Sequence, residues 1–261
     1  MKVILYGEGT DEELDTSEVR EYLAQRLGKA EIEVRGSPFS NLNQDNETDY
    51  AREFAGSKIQ DAGSKLEAPF SSLYGEVEYE KRRLLGKTKS FGILYDGLHL
   101  CDVFLKCIPV EERRIGFAHI IFTNRLFATW EGINKRYHIR TSIYAIPSII
   151  SITGLVEAPA KPREYYFLKQ QYENMRKDLS GLKDQFKGKF LDYGDERLTG
   201  IAKGYAMQAV SYALTGTPFC EDKGCRLYNA HWQEELIFAQ LESDYEFCPR
   251  HSGILVKLQG S

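Results

Sequence analysis

Cys220, Cys225, Cys248 and His251 carry the plainest chemistry in the chain. The first pair reads C-x4-C, and Cys248-Pro249-Arg250-His251 reads C-x2-H. Thiolate sulfur and imidazole nitrogen are ligands that zinc takes, at about 2.0–2.3 Å. A tight loop can deliver the first pair to one point. A turn after Cys248 brings His251 round to the same point, with Pro249 pre-setting the backbone and Gly253 relieving it. Four protein ligands complete a tetrahedron and leave no position for a reacting water. The spacing therefore predicts one structural Zn ion; a chance set of buried core cysteines is the alternative.

The rest of the chain favours metal over a disulfide. Five cysteines are an odd number in a chain of 261 residues. The apolar run at residues 1–7 is too short for a signal peptide, and no stretch approaches the roughly 20 apolar residues of a membrane span. These features predict a cytoplasmic protein with reduced thiols and no membrane contact.

Further ligand types are scattered: His99, Cys101, Asp102, His119, His138 and His231. Read as a strand, His99 and Cys101 would point to one face and suit a second metal. His231 with Glu234 and Glu235 has helical spacing. For each, a core thiol, a hydrogen-bonded histidine or a solvated helix face is the plainer reading. No glycine run has phosphate-loop spacing after a strand. Lys81-Arg82-Arg83 and Arg113-Arg114 read as solvated surface, or as a contact for RNA or an acidic protein. The net charge of -4 argues against a broad nucleic-acid footprint.

The elements that must position these residues follow from periodicity. Residues 3–6 and 31–34 read as strands around a helix at 16–27, capped by Asp15 or Thr16. Residues 36–75 are polar, with a short helix at 49–59. Residues 90–105 read as two strands joined by a turn at Asp96-Gly97. Residues 115–122 and 142–154 are β-rich. A long amphipathic helix is predicted over 164–186, with Phe167, Tyr172, Met175, Leu179 and Leu182 on one face. A second runs over 195–215, capped by Asp195, ended by Gly216 and blocked by Pro218. Its buried side is Leu198, Ile201, Ala202, Tyr205, Ala209, Tyr212 and Ala213. A short helix at 232–240 precedes the last Cys and His. The expected fold is α/β (α+β), one domain over residues 1–261.

The tail from Asp195 to His251 resembles the C-terminal half of an archaemetzincin, a zinc metallopeptidase-like family with the pattern HExxHxxGxxHC, then CxxxxC-x-M, then CxxC. Here the segment runs Ala209-Val210-Ser211-Tyr212-Ala213-Leu214-Thr215-Gly216-Thr217-Pro218-Phe219-Cys220. Gly216, Cys220 and Cys225 fall on the pattern. Leu227 replaces its methionine, and Cys248 with His251 takes the last pair. Ala209, Ala213 and Phe219 stand where the resemblance places three histidines, and Val210 stands for the glutamate. Two histidines at i and i+4 would share a helix face and hold one metal; two alanines cannot. Valine cannot act as base on a zinc-bound water.

The resemblance implies a metzincin-like mixed sheet with long helices, with residues 195–261 forming a former active-site helix and a zinc-stapled subdomain. It also implies a pseudoenzyme, a non-peptidase binding or regulatory protein whose former cleft is filled or still takes a protein or peptide partner. One alternative is a hydrolase with a metal site rebuilt from His99, His119, His138 or His231. Another is an RNA- or ribosome-associated zinc protein.

Overall fold

The computed structural model describes residues 1–10, 13–40, 44–70, 72–87 and 92–260. Val3 to Tyr6 is apolar at every position because the first strand, β1 (Lys2–Glu8), is covered on both faces. Val3 and Leu5 join one core, Ile4 and Tyr6 the other. The chain then forms α1 (Thr16–Leu27) and β2 (Glu31–Val34), which pairs parallel to β1. Asp15 caps α1 as expected, its Oδ1 accepting from the Ser17 and Glu18 amides at 2.9 and 3.0 Å.

The polar stretch that follows holds two helices. α2 (Gln44–Gly56) starts earlier than periodicity predicted, and α3 (Tyr74–Leu84) went unforeseen. α3 carries the Lys81-Arg82-Arg83 cluster. Lys81 pairs with Glu78 at 3.3 Å, and an Arg83 guanidinium nitrogen donates to the Tyr95 hydroxyl at 3.3 Å.

The predicted hairpin at Asp96-Gly97 is not formed. β3 (Leu94–Asp96) runs directly into α4 (Gly97–Lys106). Ser90 and Phe91, the start of that predicted segment, lie outside the described residues. Asp96 is an N-cap and not a turn residue: its Oδ1 accepts from the Leu98 and His99 amides at 3.0 and 3.1 Å. Gly97 is there for space, since a Cβ would sit 2.5 Å from Ile143 Cδ1. Leu100, Val103 and Phe104 recur at helical spacing and fill the second core.

β4 (Phe117–Thr123) lies parallel between β1 and β8, and β5 (Leu126–Glu131) pairs antiparallel with β6 (Arg136–Arg140). β7 (Ser142–Ile143) and β8 (Ser148–Ser151) follow. The β-rich reading of 142–154 therefore holds only to Ser151, whose hydroxyl caps α5 (Ile152–Glu157) by accepting from the Gly154 amide.

α6 (Arg163–Asn174) and α7 (Ser180–Gln185) replace the single long helix predicted there. Arg176 adopts a left-handed φ of 53°, which breaks the helix. α7 folds back, so that Leu182 and Phe186 pack on Tyr165, Leu168 and Tyr172. Phe167 and Met175, assigned to the buried face, are each 62% exposed.

α8 (Leu198–Thr215) crosses the first core and ends at Gly216, which takes the left-handed φ of 75° expected of a helix-ending glycine. It starts at Leu198 with Arg197 in the N-cap position, not Asp195, whose carboxylate instead accepts from the Arg197 amide at 2.9 Å and guanidinium at 2.7 Å. α9 (Gln233–Ile237) passes into a π-turn at Phe238–Glu242, and α10 (Pro249–Gly260) closes the described chain.

Among the described residues the strands form two mixed sheets, in the orders β2-β1-β4-β8-β7 and β3-β5-β6. α1, α5 and α8 cover one face of the larger sheet, and α2 and α4 fill the other side. The mixed α/β class agrees with the sequence expectation.

Where the two sheets meet, a wholly buried Arg125 sits between α3 and the ends of β1 and β4. It bonds Glu80 at 2.6 Å and Glu8 at 3.0 Å and lies 3.7 Å from the Phe54 ring centroid. Lys58 reaches Glu80 at 2.9 Å and Tyr95 donates to it at 2.7 Å.

Candidate metal centre

The four residues singled out by spacing converge. The ligand atoms of Cys220, Cys225, Cys248 and His251 all lie within 4.8 Å of one another. Cys220 comes from the loop after α8. Cys225 follows a tight turn in which Asp222 Oδ1 accepts from the Gly224 amide at 2.9 Å and from the Tyr245 hydroxyl at 2.6 Å. The Asp222 amide points at Cys220 Sγ from 3.4 Å, a donor that favours the thiolate. The Cys220 amide bonds the Leu227 carbonyl at 2.8 Å and closes the loop.

The other pair comes from the first turn of α10. Cys248 immediately precedes the helix and His251 is its third residue, so the expected turn is helical. Arg226 locks the two halves together. Its amide donates to the Glu246 carbonyl at 2.9 Å and its guanidinium pairs with the Glu246 carboxylate at 2.8 Å. Glu246 in turn accepts from the Tyr22 hydroxyl at 2.6 Å and pairs with Arg26 at 2.7 Å, tying the site to α1.

The distances fit a zinc tetrahedron. Bonds of about 2.3 Å to sulfur and 2.0–2.1 Å to nitrogen place two sulfurs about 3.8 Å apart, and sulfur and nitrogen about 3.5 Å apart. Cys220 and Cys248 Sγ are 3.8 Å apart, and Cys225 Sγ is 3.7 Å from His251 Nδ1. Cys248 Sγ and His251 Nδ1, at 3.1 Å, are closer than the ideal and would separate by a few tenths of an ångström around an ion. Burial pushes the Cys225 thiol up to about 12 and also raises Cys220. Burial first, and the nearby Arg250 charge second, lower the His251 imidazole. Burial favours the neutral thiol at Cys220 and Cys225, and a divalent ion would supply the charge that makes them thiolates.

The remaining ligand types do not assemble. Among the described residues no other group of three or more His, Cys, Asp or Glu side chains converges. His99 and Cys101 lie on α4 and not on a strand, two positions apart and so on different helix faces. His99 Nδ1 faces Asp96 at 3.2 Å, and burial pushes the Cys101 and Cys107 thiols up to about 12. His119 is buried in the sheet, its Nδ1 3.1 Å from the Tyr6 hydroxyl. His231 precedes α9; its amide donates to Glu235 Oε2 at 3.2 Å. Arg113 and Arg114 are also engaged, one on the Ile108 carbonyl at 2.7 Å and the other over the Phe117 ring.

Ala209 and Val210 are each 1% exposed in the first core, but Ala213 and Phe219 face solvent. The alanine face is therefore only half filled, contrary to the expectation that Ala213 is buried. Beyond Tyr212 on this helix lies a cleft of about 620 Å³, bordered by residues 138–144 and by Phe219, His231 and Trp232. One supporting residue escaped the sequence reading. Gln208 is buried beside Ala209, accepts a hydrogen bond from the Tyr144 hydroxyl and donates to the Tyr228 carbonyl at 3.1 Å. A lone amide in an otherwise apolar helix segment was its signal.

The fold and the cluster together define a mixed α/β protein with a Cys3His site of metal-binding geometry. The chain belongs to the probable metallopeptidase family DUF6775, whose model matches residues 1–258. Among solved structures it is similar to a zinc-dependent peptidase from Methanocorpusculum labreanum (strain Z), at 13% identity and a TM-score of 0.42, over 97% of this chain and 99% of that one. No curated protein matches the chain. Among the described residues no helix is long and apolar enough to cross a membrane.

Proposed function

We propose that this chain is a zinc-stabilised, non-peptidase member of its metallopeptidase family, archaemetzincin-like in its tail, that acts by binding. Cys220, Cys225, Cys248 and His251 hold one ion, which supplies cross-linking and no catalysis. The observation that carries the reading is the composition of α8: alanine, valine and alanine at 209, 210 and 213, where hydrolysis by the resembled pattern needs two ligands and a base. The absence of a second converging ligand set among the described residues supports it. So does the geometry of the cluster, whose four protein groups leave an ion no open position.

Two measurements on the purified full chain test this. Metal analysis is expected to give one zinc per chain, and a strong chelator is expected to lower Tm, because binding free energy at a structural site is folding free energy. Incubation with a mixed peptide library, read by mass spectrometry, is expected to leave every peptide intact. Two metals per chain with chelator-sensitive cleavage would overturn the proposal.

A further inference from the structure

The cleft beside α8 is lined asymmetrically. Among the described residues that border it there is no carboxylate, while Arg140, His138 and His231 all do. This stands out in a chain with 38 acidic and 34 basic residues. Arg140 spends one donor, Nε to the Thr129 hydroxyl at 2.9 Å, and no carboxylate among the described residues lies within ion-pair distance of it. Of the acidic residues near the cleft in sequence, Glu221 and Glu234 are exposed and do not border it, and Glu157 accepts from the Tyr193 hydroxyl at 2.8 Å. Glu131 accepts from Asn134 at 2.9 Å and lies 3.6 Å from Arg136; Glu235 takes the His231 amide and Lys223. Aromatic rings make the opposite wall: Tyr144 meets Phe219 edge-on at 5.6 Å between centroids, and Arg163 lies over Trp232 at 5.4 Å.

The strand on the rim adds a second kind of partner. Residues 138–144 border the cleft consecutively, not alternately, so the edge of β6 and β7 faces the opening, together with Thr129, the cross-strand partner of His138 on β5. β6 and β7 each end their sheet order, and no further strand covers them among the described residues. A free strand edge offers backbone donors and acceptors that an extended chain can use.

We infer that this cleft binds an extended acidic peptide, its carboxylates on Arg140, His138 and His231 and its apolar side chains against Tyr144, Phe219 and Trp232. Fixed charge from one guanidinium and N–H donors from two imidazoles select carboxylate side chains, and the rings take the residues between them. A single arginine in a chain of net charge -4 is a poor match for a polyphosphate backbone, which favours peptide over RNA. The inference names the partner class for the binding role proposed above and rests on that reading.

The test is fluorescence anisotropy on the zinc-loaded full chain, with a labelled, end-capped decapeptide of alternating Glu and Phe and its counterpart with Lys for Glu. The Glu peptide should bind at least about tenfold tighter than the Lys peptide, the scale of one charge-assisted hydrogen bond. Arg140→Gln should weaken it by a similar factor. Because Arg140 also holds Thr129, His231→Glu is the second variant: that side chain is exposed, so the fold is kept and repulsion alone should weaken binding. Equal affinity for the two peptides, no effect of either variant, or tighter binding of single-stranded oligouridylate would overturn the inference. Recovering the bound peptide by mass spectrometry separates the two claims: cleaved peptide refutes the non-peptidase reading and leaves the acidic preference standing, and intact but unbound peptide does the reverse.

Discussion

Replacing Arg125 by Met should be among the most damaging single changes in the chain. Arg125 has no exposed side-chain surface, and neither does its partner Glu80; Glu8, the other, is 6% exposed. Methionine fills most of the volume but leaves two carboxylates with one lysine between them: Glu80 keeps Lys58 at 2.9 Å and the Tyr95 hydroxyl, and Glu8 keeps, among the described residues, the Thr123 hydroxyl. Breaking a buried pair from one side costs about 3–5 kcal/mol, and loss of the guanidinium over the Phe54 ring adds about 1 kcal/mol. The total is a large part of the roughly 5–15 kcal/mol that holds an ordinary domain together. Urea unfolding should show the midpoint fall by more than 1 M at unchanged slope, since slopes run about 1–3 kcal/mol per M. Adding Glu80→Gln should restore part of the loss, because the stranded charge is then gone. The same network carries an acid signature. Burial alone would raise the Glu80 carboxyl; the Arg125 and Lys58 charges outweigh it and hold the group down at about 2. A depressed folded value means stabilisation that is complete above the ordinary carboxylate range and lost as pH falls from about 4 toward 2. A midpoint shift under about 0.3 M for Arg125→Met, or no recovery in the double variant, would refute this account.

Two smaller changes probe other contacts. Gly204→Ala on α8 should lower Tm although alanine is the better helix former: its Cβ would stand 1.6 Å from Gln240 Oε1, and that buried amide cannot swing aside without losing its Nε2 bond to the Arg226 carbonyl at 2.8 Å, so overpacking of about 1–3 kcal/mol outweighs the roughly 1 kcal/mol gained. A scan of the double variant with Gln240→Ala should recover the gain, and a Gly204→Ala protein melting above the parent would contradict the clash. Burial, more than the opposing Glu112 charge, lowers His119, so the folded state resists its protonation. The stability it contributes is full above its ordinary value of about 6.5 and is lost as pH falls below that; His119→Gln should flatten stability against pH there relative to the parent, and parallel curves would contradict this.

What was legible in the sequence depended on how local the cause was. Capping by Asp15, the stop at Gly216 and the doubly covered run at residues 3–6 are each written within a few residues. So was the quartet, because C-x4-C and C-x2-H need only one short loop and one helical turn to present two ligands apiece. Asp96-Gly97 misled for a physical reason: the same dipeptide serves a tight turn and a helix start, and here Leu100, Val103 and Phe104, at helical spacing, fill the second core behind the Asp96 cap. The break between α6 and α7 depended on Arg176 adopting a left-handed φ, which nothing in its type announces. Arg125 and the cleft could not be read at all, since Glu8, Glu80 and Arg125 meet only when three separate segments are in place.

The folded-back pair α6 and α7 has an apolar cluster of its own. Leu182, Phe186 and Phe190 pack with Tyr165, Leu168 and Tyr172 and share no member with either core under the larger sheet. Arg197, at the start of the long helix, donates to the Gly188 and Phe190 carbonyls at 2.8 and 3.0 Å. A lobe built this way opens as a unit. Its amide protons exchange, and proteases reach it, at a free energy set by this small cluster and its few tethers rather than by the whole molecule.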